Sequence, residues 1–395
     1  MNDLVNRPEL QPALPYTLVS TNGCFYAMME HIRNARRLAI DTEADSLYHY
    51  FEKVCLLQLS TDDETFIIDP LTVNSVDKLG PLMSDPLIEK VFHAASYDIL
   101  CLQRDYGFTF TNIFDTHLAG SLLGYDFLGL DSMMEALLGI HHSKYCCQRD
   151  DWSRRPLLAK QLEYAAMDTH YLLRLRDALE KELCQKGRME WASEEFAVTA
   201  AMEYSEKTFD PEGFRRIKGF RELQTRERLT LRALYLFRDE AARKLDAPPF
   251  KVINNSVLLD LARRPPRSAQ ELFKRPGISF RVTRGFSNEI IKLIASAGKE
   301  DPSILDIRPH QVKQLPPGRA ARHSLELLKK WRREKSEELK IPIGVIFPTN
   351  LLQSLAVSPP AVLDEFTAFP GMRSWRAREF GKEILQILHD ESTGR

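Results

Sequence analysis

Nowhere in the 395 residues do eighteen apolar residues run without interruption, and the opening MNDLVNRPEL lacks a basic stretch leading into an apolar one. These two absences argue against a spanning helix and a secretory leader, and predict a soluble, cytoplasmic protein with no membrane partner. The six cysteines include the adjacent pair Cys146 and Cys147 but no C-x-x-C, so reduced thiols are expected. No G-x-x-x-x-G-K-[ST] phosphate loop occurs, which excludes a nucleotide-driven motor of that type. The chain is longer than one core usually serves, so two or three domains are expected.

Charge is nearly balanced at −1, but it is unevenly distributed. Residues 1–210 hold 19 Lys and Arg against 33 Asp and Glu, and the remainder holds 35 against 22. An acidic half is thus joined to a basic one. Such a division suits a protein that gathers carboxylates around cations in one region and binds a polyanion with another.

The acidic half reads as mixed α/β. RRLAIDTE, VCLLQLST and ETFIIDP are short apolar strands separated by turn residues, and KVFHAASYDILCLQRDYG is a buried strand at Val91–His93 feeding a helix. NIFDTHLAGSLLGY and LAKQLEYAAMDTHYLLRLRDALEKEL carry apolar residues at helical spacing. Strand and helix in alternation imply a layered α/β domain. From about residue 222 no convincing strand remains.

The basic half contains a repeat. At a constant offset of 94, FRDEAARKLDAPPFKVINNSVLLDLARRPP lies over WRREKSEELKIPIGVIFPTNLLQSLAVSPP, and further on Pro276, Gly277, Arg284 and Phe286 coincide with Pro370, Gly371, Arg378 and Phe380. Two copies of one small helical module follow. GKEDPSILDIRPHQVKQLPPGR, rich in Pro and polar residues, separates them as a linker.

Asp41 and Glu43 end the strand LAIDTE in a D-x-E. Residues i and i+2 of a strand share a face, so two carboxylates stand side by side and repel unless a cation lies between them. Asp98 falls in the first turns of the following helix, and Tyr164 and Asp168 stand four apart on one helical face. Each alone has a plain structural explanation as a cap, a dipole partner or a half-buried aromatic. Together they form a D-x-E, D, Y-x-x-x-D series that structure does not require.

That series resembles the three motifs of the DEDD superfamily of 3′-5′ exonucleases, in its tyrosine-containing branch, and DWSRRPLLAKQLEYAAMDTHYL with HAASYDIL is closely similar to the ribonuclease D family. The duplicated module resembles the helicase-and-RNase-D C-terminal (HRDC) domain. The resemblance implies an α/β ribonuclease-H-like exonuclease core, a mixed sheet flanked by helices, followed by two small all-α HRDC domains. The expected limits are an N-terminal extension over 1–20, the exonuclease domain over 21–205, HRDC domains over 215–297 and 321–392, and a linker over 298–320. It further implies two divalent ions, Mg²⁺ or Mn²⁺, which activate the attacking water and stabilise the departing 3′ oxygen. Asp41 would bridge both ions, Glu43 and Asp168 would complete the site beside the water, Asp98 would support the second ion, and Tyr164 would orient the water. The substrate it implies is RNA, tRNA precursors foremost, cut to nucleoside 5′-monophosphates without an obligatory protein partner.

Other polar residues carry weaker expectations. Asp115 reads as a helix cap or a support to the site. His93 either contacts sugar or phosphate or is a satisfied buried histidine. Arg154 and Arg155 stand where they could meet substrate phosphates. HHSKYCC offers His141, His142, Cys146 and Cys147, but adjacent ligand pairs do not easily form one tetrahedron, so zinc is disfavoured. RRIKGFRE, LARRPPRS, KKWRRE and RSWRAR are expected to neutralise phosphates, with Trp331 and Trp375 as packing residues. A DNA exonuclease of the same superfamily and a catalytically silent RNA-binding protein are the competing readings. The missing phosphate loop weakens the helicase-linked form of the first, and the complete acid set weakens the second.

Overall fold

The computed structural model describes residues 14–141, 147–206, 208–306 and 318–393. They form two compact units: one holds the chain as far as Glu43, Val54–Tyr204 and the C-terminal residues, the other Ala44–Lys53 and the residues from Ser205 to the linker.

The first unit is built on a mixed six-stranded sheet of order β1-β4-β3-β2-β5-β6. The strands are β1 (Thr17–Val19), β2 (Arg37–Ala44), β3 (Val54–Ser60), β4 (Thr65–Ile68), β5 (Glu89–Phe92) and β6 (Ile113–Asp115). β3 and β4 are antiparallel, while β1 runs parallel to β4, β2 to β5, and β5 to β6. Every residue of β3 and β4 is buried, as expected of strands covered on both faces. The sheet is flanked by α1 (Asn22–Ile32), α2 (Gly80–Ser84), α3 (Ser96–Tyr106), α4 (Thr116–Leu123), α5 (Leu130–Leu138), α6 (Ala159–His170), α7 (Leu172–Gln185) and α8 (Met189–Ala200). Among the described residues no helix is long and apolar enough to cross a membrane.

Three local expectations change. β1 lies within the stretch 1–20 assigned to an extension; three residues are too few to show a period, and pairing with β4 makes them a strand. NIFDTHLAGSLLGY opens as strand β6 before α4 begins. LAKQLEYAAMDTHYLLRLRDALEKEL is two helices, because Tyr171 leaves helical geometry at φ −103°, ψ 1°.

The repeat is structural. α9 (Thr225–Leu245), α10 (Pro249–Val252), α11 (Asn255–Arg263), α12 (Ala269–Phe273) and α13 (Phe280–Ala297) are followed by α14 (Arg319–Leu339), α15 (Ile343–Ile346), α16 (Thr349–Val357), a 3₁₀ segment at Leu363–Ala368, and α17 (Ser374–Thr393). Four of the paired helices start 94 residues apart. Gly277 and Gly371, aligned in sequence, have φ of 84° and 85°, a conformation in which a side chain would be strained.

The first copy has its own core in the second unit, centred on Phe214, Leu234, Phe237, Leu258 and Leu261. There it also holds residues 44–53, the connection from β2 to β3: Tyr50 donates its hydroxyl to Asp239 at 2.7 Å, and His49 Nδ1 meets Asp246 at 2.7 Å. The second copy belongs to the first unit and docks on α8. Trp375 stacks on Trp191 at 4.6 Å, and Glu194 accepts the backbone N–H groups of Ser374 (2.6 Å) and Trp375 (2.9 Å), satisfying the open start of α17. Glu195 pairs with Arg376 at 2.8 Å and Arg373 at 3.3 Å, and Glu190 with Arg378 at 2.7 Å. The basic run RSWRAR is therefore committed to this contact rather than displayed for phosphates. Trp331 and Trp375 are both buried packing residues. Residues 307–317 of the linker lie outside the described residues.

Candidate active site

The site stands where parallel strands end. β5 accompanies β2 only from Arg37 to Ala39, so β2 runs on beyond its neighbour and carries Asp41 and Glu43 on one face. Leu38, Ala39 and Ile40 are fully buried and fix that register.

Asp98 is delivered by a second device. The chain leaves β5 through Ala94, whose φ is 62°. The carboxylate of Asp115, at the end of β6, accepts the N–H groups of Ala94 (3.0 Å) and Ala95 (2.9 Å) as well as those of His117 (2.9 Å) and Leu118 (3.2 Å). One acid thus caps α4 and shapes the start of α3, which is the cap reading of Asp115. Asp98, 6 % exposed, sits in the first turn of α3 and accepts a short hydrogen bond from the hydroxyl of Thr42, between the two acids of β2.

α6 packs on β3 and β4. Its rotation is fixed by Thr169 against Ser60 (Oγ1 to Oγ, 2.8 Å) and His170 Nδ1 against Thr65 Oγ1 (2.8 Å). At its start Gln161 donates to Asp150 at 2.9 Å while its carbonyl oxygen accepts from the Leu158 N–H at 2.9 Å. The face so aimed carries Tyr164 and Asp168, and the Tyr164 ring lies 6.2 Å from that of Trp152.

Asp41, Glu43 and Asp168 each offer a carboxylate oxygen within 4.8 Å of the others. Asp98 lies outside that trio but within its field. Burial, then the charges of Asp98, Asp168 and Glu43, hold the Asp41 carboxyl well above the usual carboxylate range; Glu43 is raised by burial, then Asp168, Asp98 and Asp150. Asp168 is raised by burial, then Asp131 and Asp98. Burial pushes Asp98 up to about 7 against the pull of the Thr42 hydroxyl. Burial and the same acids raise Tyr164 far above neutrality, so its phenol keeps its proton. No cationic side chain figures among the causes of any of these shifts. Hard oxygen donors this close, half-buried and without a counter-charge among the described residues, fit divalent Mg²⁺- or Mn²⁺-type ions.

The remaining expectations separate. His93 Nδ1 meets the Thr116 hydroxyl at 2.9 Å, its ring lies edge-on to His117, and burial followed by that neighbour lowers it to about 4; it is a neutral, satisfied histidine. Arg155 is not available to phosphate. Its guanidinium holds Asp69 through two bonds of 2.6 and 2.7 Å and donates to the carbonyls of Trp152 and Cys55 at 2.7 and 2.8 Å. Arg154 pairs with Asp151 at 3.0 Å but leaves 81 % of its side chain exposed. For the zinc reading, His142 and Cys146 lie outside the described residues; His141 Nδ1 is 3.2 Å from Glu135, and Cys147 is buried. Thr42, Asp131 and Asp150 were not foreseen. Asp131 looks in sequence like any acid in a helix's first turn, and only the fold brings it into the field of Asp168.

A six-stranded mixed sheet with carboxylates converging at its strand ends defines the class: a metal-dependent 3′-5′ exonuclease carrying two helical accessory modules. Comparison with known proteins agrees. The sequence model of the 3′-5′ exonuclease family matches residues 16–184, and that of the HRDC domain matches 227–294 and 323–388. Ribonuclease D of Gluconacetobacter diazotrophicus is 28% identical, with 94% of this chain and 92% of that protein aligned. The exosome complex component 10 homolog of Caenorhabditis elegans is 32% identical over 72% of this chain, which spans about a third of that longer relative (33%). Among solved structures, Escherichia coli RNase D, described as an exoribonuclease involved in structured RNA processing, superposes with a TM-score of 0.67 at 25% identity, covering 95% of this chain and 99% of its own. The catalytic core of RRP6 from Trypanosoma brucei superposes with a TM-score of 0.67 at 29% identity, covering 73% and 81%. The chain carries a 3′-5′ exonuclease domain and two HRDC domains and is similar over nearly its whole length to ribonuclease D proteins, and its activity is that of a 3′-5′ exoribonuclease.

Proposed function

We propose that this exoribonuclease trims the 3′ ends of structured RNA precursors in the cytoplasm, tRNA 3′ ends foremost, and releases nucleoside 5′-monophosphates. The observation that carries the reading is the trio Asp41, Glu43 and Asp168, whose oxygens converge with no cationic partner among the described residues. In this reading Asp41, Glu43 and Asp168 would hold one divalent ion, and Asp41 with Asp98 would support a second. When bound, the ions supply water activation and stabilisation of the departing 3′ oxygen. The chain's own part is positional. Thr42 holds Asp98 in place, the Ser60–Thr169 and Thr65–His170 bonds aim Asp168, and the protonated phenol of Tyr164 donates a hydrogen bond that orients the attacking water. The domain limits that go with this reading are those expected from sequence, with the exonuclease domain extended to include β1.

The test uses a 5′-labelled tRNA precursor with a short 3′ extension and a DNA oligonucleotide, each with Mg²⁺, Mn²⁺ or chelator. The expected result is a metal-dependent ladder shortening the RNA from its 3′ end while the DNA stays largely intact. Preferential loss of DNA would transfer the site to DNA repair. RNA retained in a gel shift but never shortened would make this a binding protein. Asp41→Ala is expected to fold normally and lose all metal-dependent cleavage, and full activity in that variant would sink the metal assignment.

A further inference from the structure

The two helical modules present the same corner in opposite states. In the second module the start of α17 is covered: Ser374 and Trp375 give their N–H groups to Glu194, Trp375 lies on Trp191, and Arg378 reaches Glu190 at 2.7 Å. Subtracting 94 gives Phe280, Arg281 and Arg284 at the start of α13. There Phe280 is 69 % exposed, Arg281 and Arg284 are exposed, and neither guanidinium has an ion pair among the described residues. Phe273 and Lys274, where α12 ends against α13, are exposed as well.

We propose that this corner of the first module binds a single-stranded stretch of the RNA substrate, while the second module has given up the equivalent corner to dock on the nuclease fold. The inference rests on the exoribonuclease reading. Three exposed cations and two exposed phenyl rings alternate along the chain, FK at 273–274 and FR at 280–281 with Arg284 one turn on, so Phe280 and Arg284 share a helical face. Rings stack on bases of any sequence and cations take the phosphates between them. Several other arginines of the first module are already engaged: Arg215 holds Glu212, Arg216 Asp210, Arg263 Glu222, and both Arg264 and Arg275 hold Asp260. The acids nearest in sequence do not cancel the corner. Glu271 accepts the Arg267 N–H, and Glu289 lies more than one turn beyond Arg284. An exposed phenylalanine beside unpaired arginines has no structural task in its own module, since that core closes on Val282, Ile290 and Ile294 from the other side of the helix.

The experiment uses the full chain. Binding of a fluorescein-labelled 12-nucleotide single-stranded RNA is measured by anisotropy in chelator across a salt series, and cleavage of a labelled trinucleotide, which carries only two phosphodiesters, is measured with Mg²⁺ or Mn²⁺. The variants are R281A/R284A and F280S, the latter installing the second module's own residue, with R378A as the counterpart control and circular dichroism melting for integrity. R281A/R284A is expected to weaken the 12-mer and to flatten the log–log salt slope by about 1 to 1.5, the loss of two phosphate contacts on a single strand. F280S is expected to weaken it by about 5- to 150-fold, the range for one stacked base. Trinucleotide cleavage stays at the wild-type rate in both. Unchanged 12-mer affinity in both folded variants overturns the proposal. So does a change of oligomeric state on light scattering in R281A/R284A with RNA affinity intact, which would make the corner a protein-docking face. Failure of the wild-type protein to cleave the trinucleotide with either metal would strike the exoribonuclease reading itself, a result the binding comparison does not mimic.

Discussion

A site built for metal should be a liability to the protein without it, and Asp98→Asn tests this. Asp98 is 6 % exposed, accepts the Thr42 hydroxyl, and is raised from 3.8 to about 7 chiefly by burial. A carboxyl whose folded value lies above its unfolded one binds protons more readily in the native state. Its unfavourable contribution is therefore absent below about pH 4, grows as pH rises to about 7, and is constant above that. At about 1.4 kcal/mol for each tenfold change in proton affinity, the ionised group costs the metal-free fold on the order of 4 kcal/mol at pH 8. Part of that cost is shared with Asp41, Glu43 and Asp168, so removing one charge should recover roughly 2–3 kcal/mol. Asparagine keeps the size and the acceptor for Thr42 and removes only the charge.

The assay is thermal unfolding of the metal-free protein in chelator, following the transition of the nuclease fold. At roughly 2–4 °C per kcal/mol for a domain of this size, Asp98→Asn should melt about 4–12 °C above wild type at pH 8. At pH 5 the gap should narrow to a few degrees, because wild-type Asp98 is then largely protonated. Millimolar Mn²⁺ at pH 8 should stabilise wild type more than the variant, since the ion binds the native acids preferentially. A variant that melts below wild type at pH 8 in chelator would refute the reasoning, because the Asp98 charge would then be favourable where it stands.

Three further outcomes are expected. Tyr164→Phe should lower kcat by about 100-fold with KM within about threefold, since it removes a water-orienting hydrogen bond without touching the acids; steady-state kinetics with saturating Mn²⁺ measure both, and a comparable rise in KM would place the phenol on the substrate instead. Arg155→Ala should cost about 3 kcal/mol in urea unfolding through the stranded carboxylate of Asp69, which is 4 % exposed, and leave RNA affinity in chelator unchanged. Trp375→Ala should cost about 3–5 kcal/mol and raise protease sensitivity in the C-terminal module, because the indole is fully buried against Trp191; a wild-type digestion pattern would show that the second module does not depend on this contact.

What was legible in the sequence follows from what is local. β2 and β3 are visible because apolar runs between turn residues leave little choice of structure, and D-x-E on a strand fixes a shared face by period alone. The repeat was legible to the residue, since helix starts 94 apart restate an ungapped alignment. β1 and β6 were not, because three residues hold no period and their strand character comes from the neighbours they pair with. Arg155 shows the same limit on the chemical side: a basic pair before the Tyr164 helix reads as phosphate-binding until the fold brings Asp69, 86 positions away, against one of the two.

The larger lesson of the charge division lies in what the folded chain does with it. An excess of basic residues after residue 210 predicts stretches that neutralise RNA phosphates. The fold instead spends much of that excess: Arg373, Arg376 and Arg378 cross to the glutamates of α8, so part of the acidic half is neutralised by part of the basic half within one unit. Duplication made this possible. A module that arises twice offers one corner to be committed to the nuclease fold and another to remain open, and selection on the two need not conflict because they are different residues of the chain. The acids of α8 that receive the second module are thereby removed from the field an approaching polyanion meets. Among the described residues no cation compensates the carboxylates of the site, which suits them to divalent metal as the counter-charge.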